Sequence, residues 1–349
     1  MKDLERLANY YLSGRGKLKR PRYLCYNATL RCDGRCAHCG IWEQKNKGAE
    51  ITTEELSAIL SSPLFSEVET AWITGGEPTL REDIGSIGGV MAGKLSAMKT
   101  LGIATNALDS VRTLKSVSAL RGWLRDGQGL FVHISVDGAG ELHDRIRQKP
   151  GAFEAIKETI AGVQTIAGKS GPHVEVGLNC VVQPENVEGL PELHRFARFA
   201  GIKIMYNLVM VTDQIYRNEQ KGDALSLSED ERKKTIDFLR SIMDEEPRPF
   251  RYQYKNIIDI LSGKKRGRRC LTLYTTVNIN ADGTWIPCPA TSDLEPISFV
   301  ENDPEEIWHD KKARALRKRA EKEYCPACAL SCSLGDSMPI SEWLAGGWD

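Results

Sequence analysis

Between residues 22 and about 246, strand-like and helix-like segments alternate six times. No other feature restricts the fold as strongly. The strand-like runs are 22–30, 68–74, 100–105, 130–137, 173–182 and 203–210, rich in Val, Ile, Leu, Tyr and Thr. Helical patterns lie near 53–62, 82–97, 110–124, 151–168, 189–200 and 228–244. Thr52 and Glu55 have the spacing of a capping box at the first helix. Six βα units imply a parallel sheet with helices packed outside it and right-handed connections. They are too few to close an eight-stranded barrel.

The loop after the first strand reads Arg31-Cys32-Asp33-Gly34-Arg35-Cys36-Ala37-His38-Cys39-Gly40. Three thiolates spaced Cys-x3-Cys-x2-Cys can fold around one iron–sulfur cluster, which normally takes four cysteine ligands. No fourth cysteine follows nearby, so one iron is left open for a ligand that is not protein. A zinc site completed by His38 or a distant cysteine is the alternative. In parallel barrels, functional residues sit in the loops after the strands.

Composition narrows the class. A chain of 349 residues with 41% apolar content suits one large α/β domain with an appendage, or two domains. Lys plus Arg equals Asp plus Glu at 47 each, so net charge exerts no pull toward nucleic acid or membrane. The start, Met1-Lys2-Asp3-Leu4-Glu5-Arg6, lacks a signal peptide's apolar stretch, and no run is long enough to span a bilayer. The ten cysteines cluster at short spacings. That pattern suits metal binding in a reducing cytoplasm rather than secreted disulfides.

Gly75-Gly76-Glu77-Pro78 ends the second strand. With the cysteine triplet at the end of the first, it resembles the signature of the radical S-adenosylmethionine (SAM) enzymes. The resemblance implies a partial (β/α)6 TIM barrel, open on one side, as the core. It implies that SAM chelates the open iron and is cleaved to a 5′-deoxyadenosyl radical, which takes a hydrogen atom from substrate. It assigns the backbone at Gly75 and the Glu77 carboxylate to the SAM ammonium, and Ser135 to the SAM ribose. Arg147 falls to the SAM carboxylate, a role suited to a permanently charged, bidentate group; Arg145 is its competitor. Gly76, Pro78, Thr105, Asn106, Asp137 and Asn179 complete the candidate cofactor shell. Asp137 capping a turn and Asn106 closing one are alternatives. His38 is expected beside the cluster or the adenine. Tyr206 and Asn207, ending the sixth strand, are candidates for adenine or substrate contact. Cys25 and Cys180 lie inside strands and read as buried thiols.

A second cysteine set follows. Glu-Glu-Pro-Arg-Pro at 245–249 marks a boundary, dividing a helical extension over 1–21 and a core over 22–246 from an appended domain over 247–349. A hairpin is predicted from Tyr274 to Ile279 and from Thr284 to Cys288, turning at Asn280-Ala281-Asp282-Gly283. Cys270 and Cys288 flank it as Cys-x12-Gly-x4-Cys; a charged helix near 304–323 leads to Cys325, Cys328 and Cys332. The pattern resembles the auxiliary-cluster module called SPASM, or twitch in its shortened form. Five cysteines rather than seven suit one auxiliary [4Fe-4S] cluster, held by Cys270, Cys288, Cys325 and Cys328, with Cys332 replacing one or packing nearby. A zinc ribbon is the alternative.

The basic run Lys264-Lys265-Arg266-Gly267-Arg268-Arg269 and the helix bearing Lys311, Lys312, Arg314, Arg317, Lys318 and Arg319 read as solvated faces, with phosphate or RNA contact as the alternative. Lys17-Leu18-Lys19-Arg20 reads likewise, against contact with anionic lipid.

The expected activity is a radical SAM oxidation or related tailoring of a small molecule, a sugar alcohol, aminocyclitol or nucleotide sugar, with the auxiliary cluster accepting an electron. The expected reductant is flavodoxin or ferredoxin, and the expected location cytoplasmic. Peptide maturation is the first alternative; only about 30 residues precede Cys32, which lowers it because many maturases carry an N-terminal recognition domain. Redox-neutral epimerisation or decarboxylation is another, with Cys180 or Cys332 as the hydrogen-returning thiol and Tyr206 a further candidate. A zinc protein binding RNA is the reading from a different class.

Overall fold

The computed structural model describes residues 18–43, 50–212, 216–267, 270–291 and 293–332. Six parallel strands follow the expected runs: β1 Tyr23–Thr29, β2 Thr70–Gly75, β3 Thr100–Thr105, β4 Gly129–Ser135, β5 His173–Val182 and β6 Ile204–Leu208. Each pairs with its predecessor, so chain order is spatial order. The helices are α1 Thr53–Leu60, α2 Ile84–Lys94, α3 Ser110–Arg121, α4 Glu141–Arg147, α5 Ala152–Ala167, α6 Leu190–Phe199 and α7 Glu229–Met243. The capping box at α1 is formed, with Glu55 N–H donating to Thr52 Oγ1 and Thr52 N–H to Glu55 Oε2.

The sheet has two faces of different chemistry. Leu24, Tyr26 and Ala28 of β1, Ala71 and Ile73 of β2, and Leu130, Val132 and Ile134 of β4 are buried in the main core. Residues of opposite parity occupy the inner face, as strand geometry requires. There Trp72, Phe131 and His133 stack mutually with ring centroids 5.7–5.8 Å apart. Gly102 stands opposite Trp72 in register; a Cβ there would lie 2.4 Å from the indole ring. These rings fill the middle of the inner face and leave the C-terminal strand ends to polar groups.

Beyond residue 246 the structure departs from expectation in one element. The Pro-Arg-Pro segment starts a helix, α8 Arg248–Leu261, with proline in its first turn, a position where the missing N–H costs nothing. Its Tyr254 is fully buried, donates to Ile204 O at 3.1 Å and packs against Tyr206.

The expected hairpin forms as β7 Thr276–Ile279 and β8 Thr284–Ile286. β7 pairs in parallel with β1, so with β9 Ile297–Ser298 one open sheet runs β6-β5-β4-β3-β2-β1-β7-β8-β9. Helices α9 Pro304–His309 and α10 Lys311–Glu323 cover the hairpin. Arg317 is not on a solvated face: it is 2% exposed, lies over the rings of Trp308 and Trp285 at 4.1 and 5.0 Å, and donates to Leu273 O and Trp308 O. Lys17, Arg268 and Arg269 lie outside the described residues. Among the described residues no helix is long and apolar enough to cross a membrane.

Gly102→Ala is expected to cost about 1–3 kcal/mol, because the indole must leave its position. Urea denaturation of the metal-free protein measures this; an unchanged midpoint would contradict the filled inner face.

Candidate functional site

The site begins where two backbones meet. Gly76 N–H donates to Thr29 O at 2.7 Å and Glu77 N–H to Arg31 O at 2.8 Å. A Cβ on Gly75 would lie 2.2 Å from Thr29 O, and one on Gly76 would lie 2.2 Å from Arg31 O; Gly75 also has φ +138°. Only glycine permits this approach, which lays the end of β2 on the segment entering the cysteine loop.

Glu77 is fully buried. Its Oε1 accepts from Thr79 N (3.1 Å), Thr79 Oγ1 (2.6 Å) and Thr105 Oγ1 (2.9 Å), and its Oε2 from Asn106 N (2.6 Å). Burial pushes the carboxyl pKa up, and these donors offset part of that. Three of these donors meet Oε1 and one meets Oε2, so Glu77 and Thr105 hold the ends of β2 and β3 together. Asn106 turns toward the loop: its Nδ2 donates to Asp33 Oδ1 at 2.9 Å and to Cys32 Sγ at 3.8 Å.

The cysteine loop is braced from three sides. Ala37 N–H donates to Ile146 O at 2.9 Å, at the end of α4. Arg147 donates to Cys36 Sγ at 3.4 Å and pairs with Asp137 at 2.7 Å. The chain after β6 closes over the loop: Gly40 N–H donates to Tyr216 O, Asn218 Nδ2 to His38 O and Met210 O, and Lys221 Nζ to Ala37 O. Burial pushes the thiols of Cys32 and Cys39 up, to about 12 and about 11. Asn106 and Arg147 are donors aimed at sulfur, which favours the thiolate a metal needs.

Burial alone would raise the Asp137 carboxyl; the Arg147 guanidinium leads the influences that more than offset this and hold it below the usual carboxylate range. Burial drives His38 and His143 down to about 4, so both are neutral. His38 Nδ1 is buried without a partner among the described residues. Arg145 is exposed and faces Glu185, so Arg147 is the arginine at the cluster loop.

Strand parity sorts the remaining candidates. Ser135 and Asn179 stand in register on β4 and β5. Asn179 Oδ1 accepts from Asn207 Nδ2 at 2.7 Å, and Asn207 Oδ1 accepts from Ser331 N at 3.0 Å, next to Cys332. Tyr206 is instead in the helical layer, fully buried between His194, Phe238 and Tyr254. Cys180 is fully buried, faces Asn186, and burial raises its pKa well above a free thiol's. Neither can meet a substrate on the inner face, which removes Tyr206 and Cys180 as catalytic candidates. Cys25 was expected in the core, but it lies on the inner face within electrostatic range of Cys332.

The second cysteine set gathers beside β7 and β8. Cys270 and Cys325 interact sulfur to sulfur, which holds Cys270 below the free-thiol range and Cys325 above it. Ala290 N–H donates to Cys288 Sγ at 3.3 Å. Cys288 and Cys332 lie in the field of Cys270 and Cys328. Among the described residues no three of these side chains, or of the first set, converge on a single metal point. Tyr216, whose phenol burial raises, lies in the field of Cys39 and of Cys25, Cys288 and Cys332, between the two sets. No sequence motif marks Tyr216 or Asn218.

Glu77→Gln is expected to destabilise the metal-free protein by about 1–3 kcal/mol, since an amide must oppose one of four donors; a thermal melt matching wild type would refute the strut role. Arg147→Met should cost about 3–5 kcal/mol by leaving Asp137 charged and alone, and Asp137→Asn in the same chain should recover most of it. The Asp137 contribution is complete above the ordinary aspartate value of about 3.9 and fades as pH falls through the depressed native value. The gap between wild type and Arg147→Met should therefore narrow in acid, as denaturation at two pH values would show.

The Radical SAM superfamily profile matches residues 26–197, and that of SPASM, an iron–sulfur cluster-binding domain, matches residues 270–333. The Bacillus subtilis antilisterial bacteriocin subtilosin biosynthesis protein AlbA is 24% identical over 96% of this chain and 68% of its own length. The pre-heme d1 synthase of Dinoroseobacter shibae is 27% identical over 52% of this chain and 41% of its own length; the chain thus spans less than half of that relative. Among solved structures, Streptococcus suis SuiB bound to precursor peptide SuiA aligns with a TM-score of 0.62 at 17% identity, over 90% of this chain and 70% of that one. With its cysteine loop on β1 and its second set on the hairpin, this chain belongs to the radical SAM superfamily and carries a C-terminal SPASM domain.

Proposed function

We propose that this chain modifies a peptide by radical chemistry, abstracting a hydrogen atom from it and using the auxiliary cluster as electron acceptor. The supporting observation is a cavity of about 480 Å³ between the continuation of β6 and the second cysteine segment. Leu208, Val209, Met210 and Val211 form one wall, and Ala327, Cys328, Ala329 and Leu330 the other. β6 is an edge strand of the sheet. An edge offers unpaired backbone groups to an extended chain, with side-chain pockets for selectivity. The likeness, over 96% of this chain and 68% of the relative, to a bacteriocin biosynthesis protein supports the same reading.

The cluster with SAM supplies, when bound, the hydrogen-abstracting radical. Cys32, Cys36 and Cys39 are its proposed ligands, Arg147 and Asn106 the donors that keep sulfur charged. Gly75, Gly76, Glu77 and Pro78 fix the turn beside it, and Ser135 and Asn179 line the adjoining strand ends. Cys270, Cys288, Cys325 and Cys328 are the proposed auxiliary ligands, with Cys332 next to them. A small-molecule oxidation is the second reading, favoured by the cavity volume, which lies within the range of small-ligand sites.

Wild-type protein reconstituted anaerobically should hold about eight irons, falling to about four in the Cys32/Cys36/Cys39→Ala variant; four falling to none would remove the auxiliary cluster. With SAM and dithionite, a degenerate peptide library should increase 5′-deoxyadenosine formation, and Val209→Asp should suppress that increase. Stimulation by aminocyclitols or sugar alcohols, with peptides inert, would select the second reading.

A further inference from the structure

We propose that Arg266 is the fixed counter-ion of the auxiliary cluster and raises its reduction potential. This rests on the reading that the second cysteine set binds a cluster. Arg266 belongs to a basic run whose other described members, Lys264 and Lys265, are exposed; Arg266 alone is buried, at 8% exposure. Its backbone N–H donates to Pro326 O at 2.9 Å, which fixes it between Cys325 and Cys328. Its guanidinium stands close enough to Cys328, Cys270 and Cys332 to favour each of their thiolates. The Nε and Nη2 groups are buried with no partner among the described residues.

A buried guanidinium without a carboxylate is costly unless an anion faces it. The other three buried arginines are served: Arg81 has Asp83 and Glu50, Arg147 has Asp137, and Arg317 has two indoles and two carbonyls. Arg266 has only sulfur. Thiolates outweigh the positive charge of an iron–sulfur core, so a cluster ligated by four of them is a net anion with sulfur acceptors on its surface. Its potential follows that net charge and the hydrogen bonds to sulfur. One-electron reduction adds a further negative charge beside the cation. Arg266 therefore favours the reduced form and makes the cluster a better acceptor of an electron.

The test is a dithionite titration of both clusters in the reconstituted full chain, followed by electron paramagnetic resonance, with iron content measured in parallel. Arg266→Met should shift the auxiliary one-electron equilibrium at least tenfold toward the oxidised form, or about 59 mV, and leave the first cluster unchanged. Arg266→Lys, which keeps the cation, should titrate close to wild type. An unshifted auxiliary potential in fully loaded Arg266→Met overturns the proposal while the cluster itself stands. About four irons in wild type, lost on Cys32/Cys36/Cys39→Ala, would overturn both. If Arg266→Met does not take up the auxiliary iron, Arg266→Lys decides: full iron at the wild-type potential supports a charge role, and loss of iron there as well overturns it.

Discussion

The close passage of Gly75 and Gly76 across Thr29 and Arg31 is the contact on which the site depends. Two strand ends are brought to hydrogen-bonding distance of each other's backbone, with no room for a Cβ on either glycine. The cysteine loop starts at the residue after this contact. Glu77 then takes four donors from the β2 and β3 ends, so three successive strand ends share one polar centre. The loop's cysteines inherit their positions from a sheet register, which is far stiffer than the loop itself.

Buried charge is the second organising element, and it comes in two kinds. Asp137 and Arg147 neutralise each other inside the protein, and Arg147 has donors left for Cys36. Such a pair is costly to break and contributes little net stability; its value lies in orienting a guanidinium at the cluster loop. Arg266 is different, since among the described residues it has sulfur but no carboxylate. An anionic occupant beside it would balance that buried charge.

Most of the core was legible because local pattern and tertiary role agree. Strand β5 matches its expected limits, and six of the seven core helices fall inside theirs; α4 Glu141–Arg147 has no expected counterpart. The structure lays Gly75 and Gly76 on the backbone entering the cysteine loop and brings Arg147 to Cys36. What was not legible has physical causes. Tyr206 and Asn207 could not be assigned faces because β6 is buried on both sides, and an all-buried strand carries no alternation to read. α8 was hidden because a proline pair reads as a break, although proline is favoured in a helix's first turn. Arg266 is chemically identical to its exposed neighbours in sequence; only the fold separates it from them.

The pairing of β7 with β1 has the widest consequence. A hairpin carrying cysteines at its flanks could hang from a linker and leave the two cysteine sets in variable relation. Here it extends the same sheet, and β1 serves both sets: Cys25 in its middle lies in the field of Cys332, and Cys32 follows its end. The seven residues from Cys25 to Cys32 span at most about 25 Å of chain. Tyr216 and the Asn218 brace bridge the gap from the other side, touching the first loop while facing the second set. An electron leaving a substrate radical above the first loop would thus cross a fixed interval set by strand register, not by domain motion.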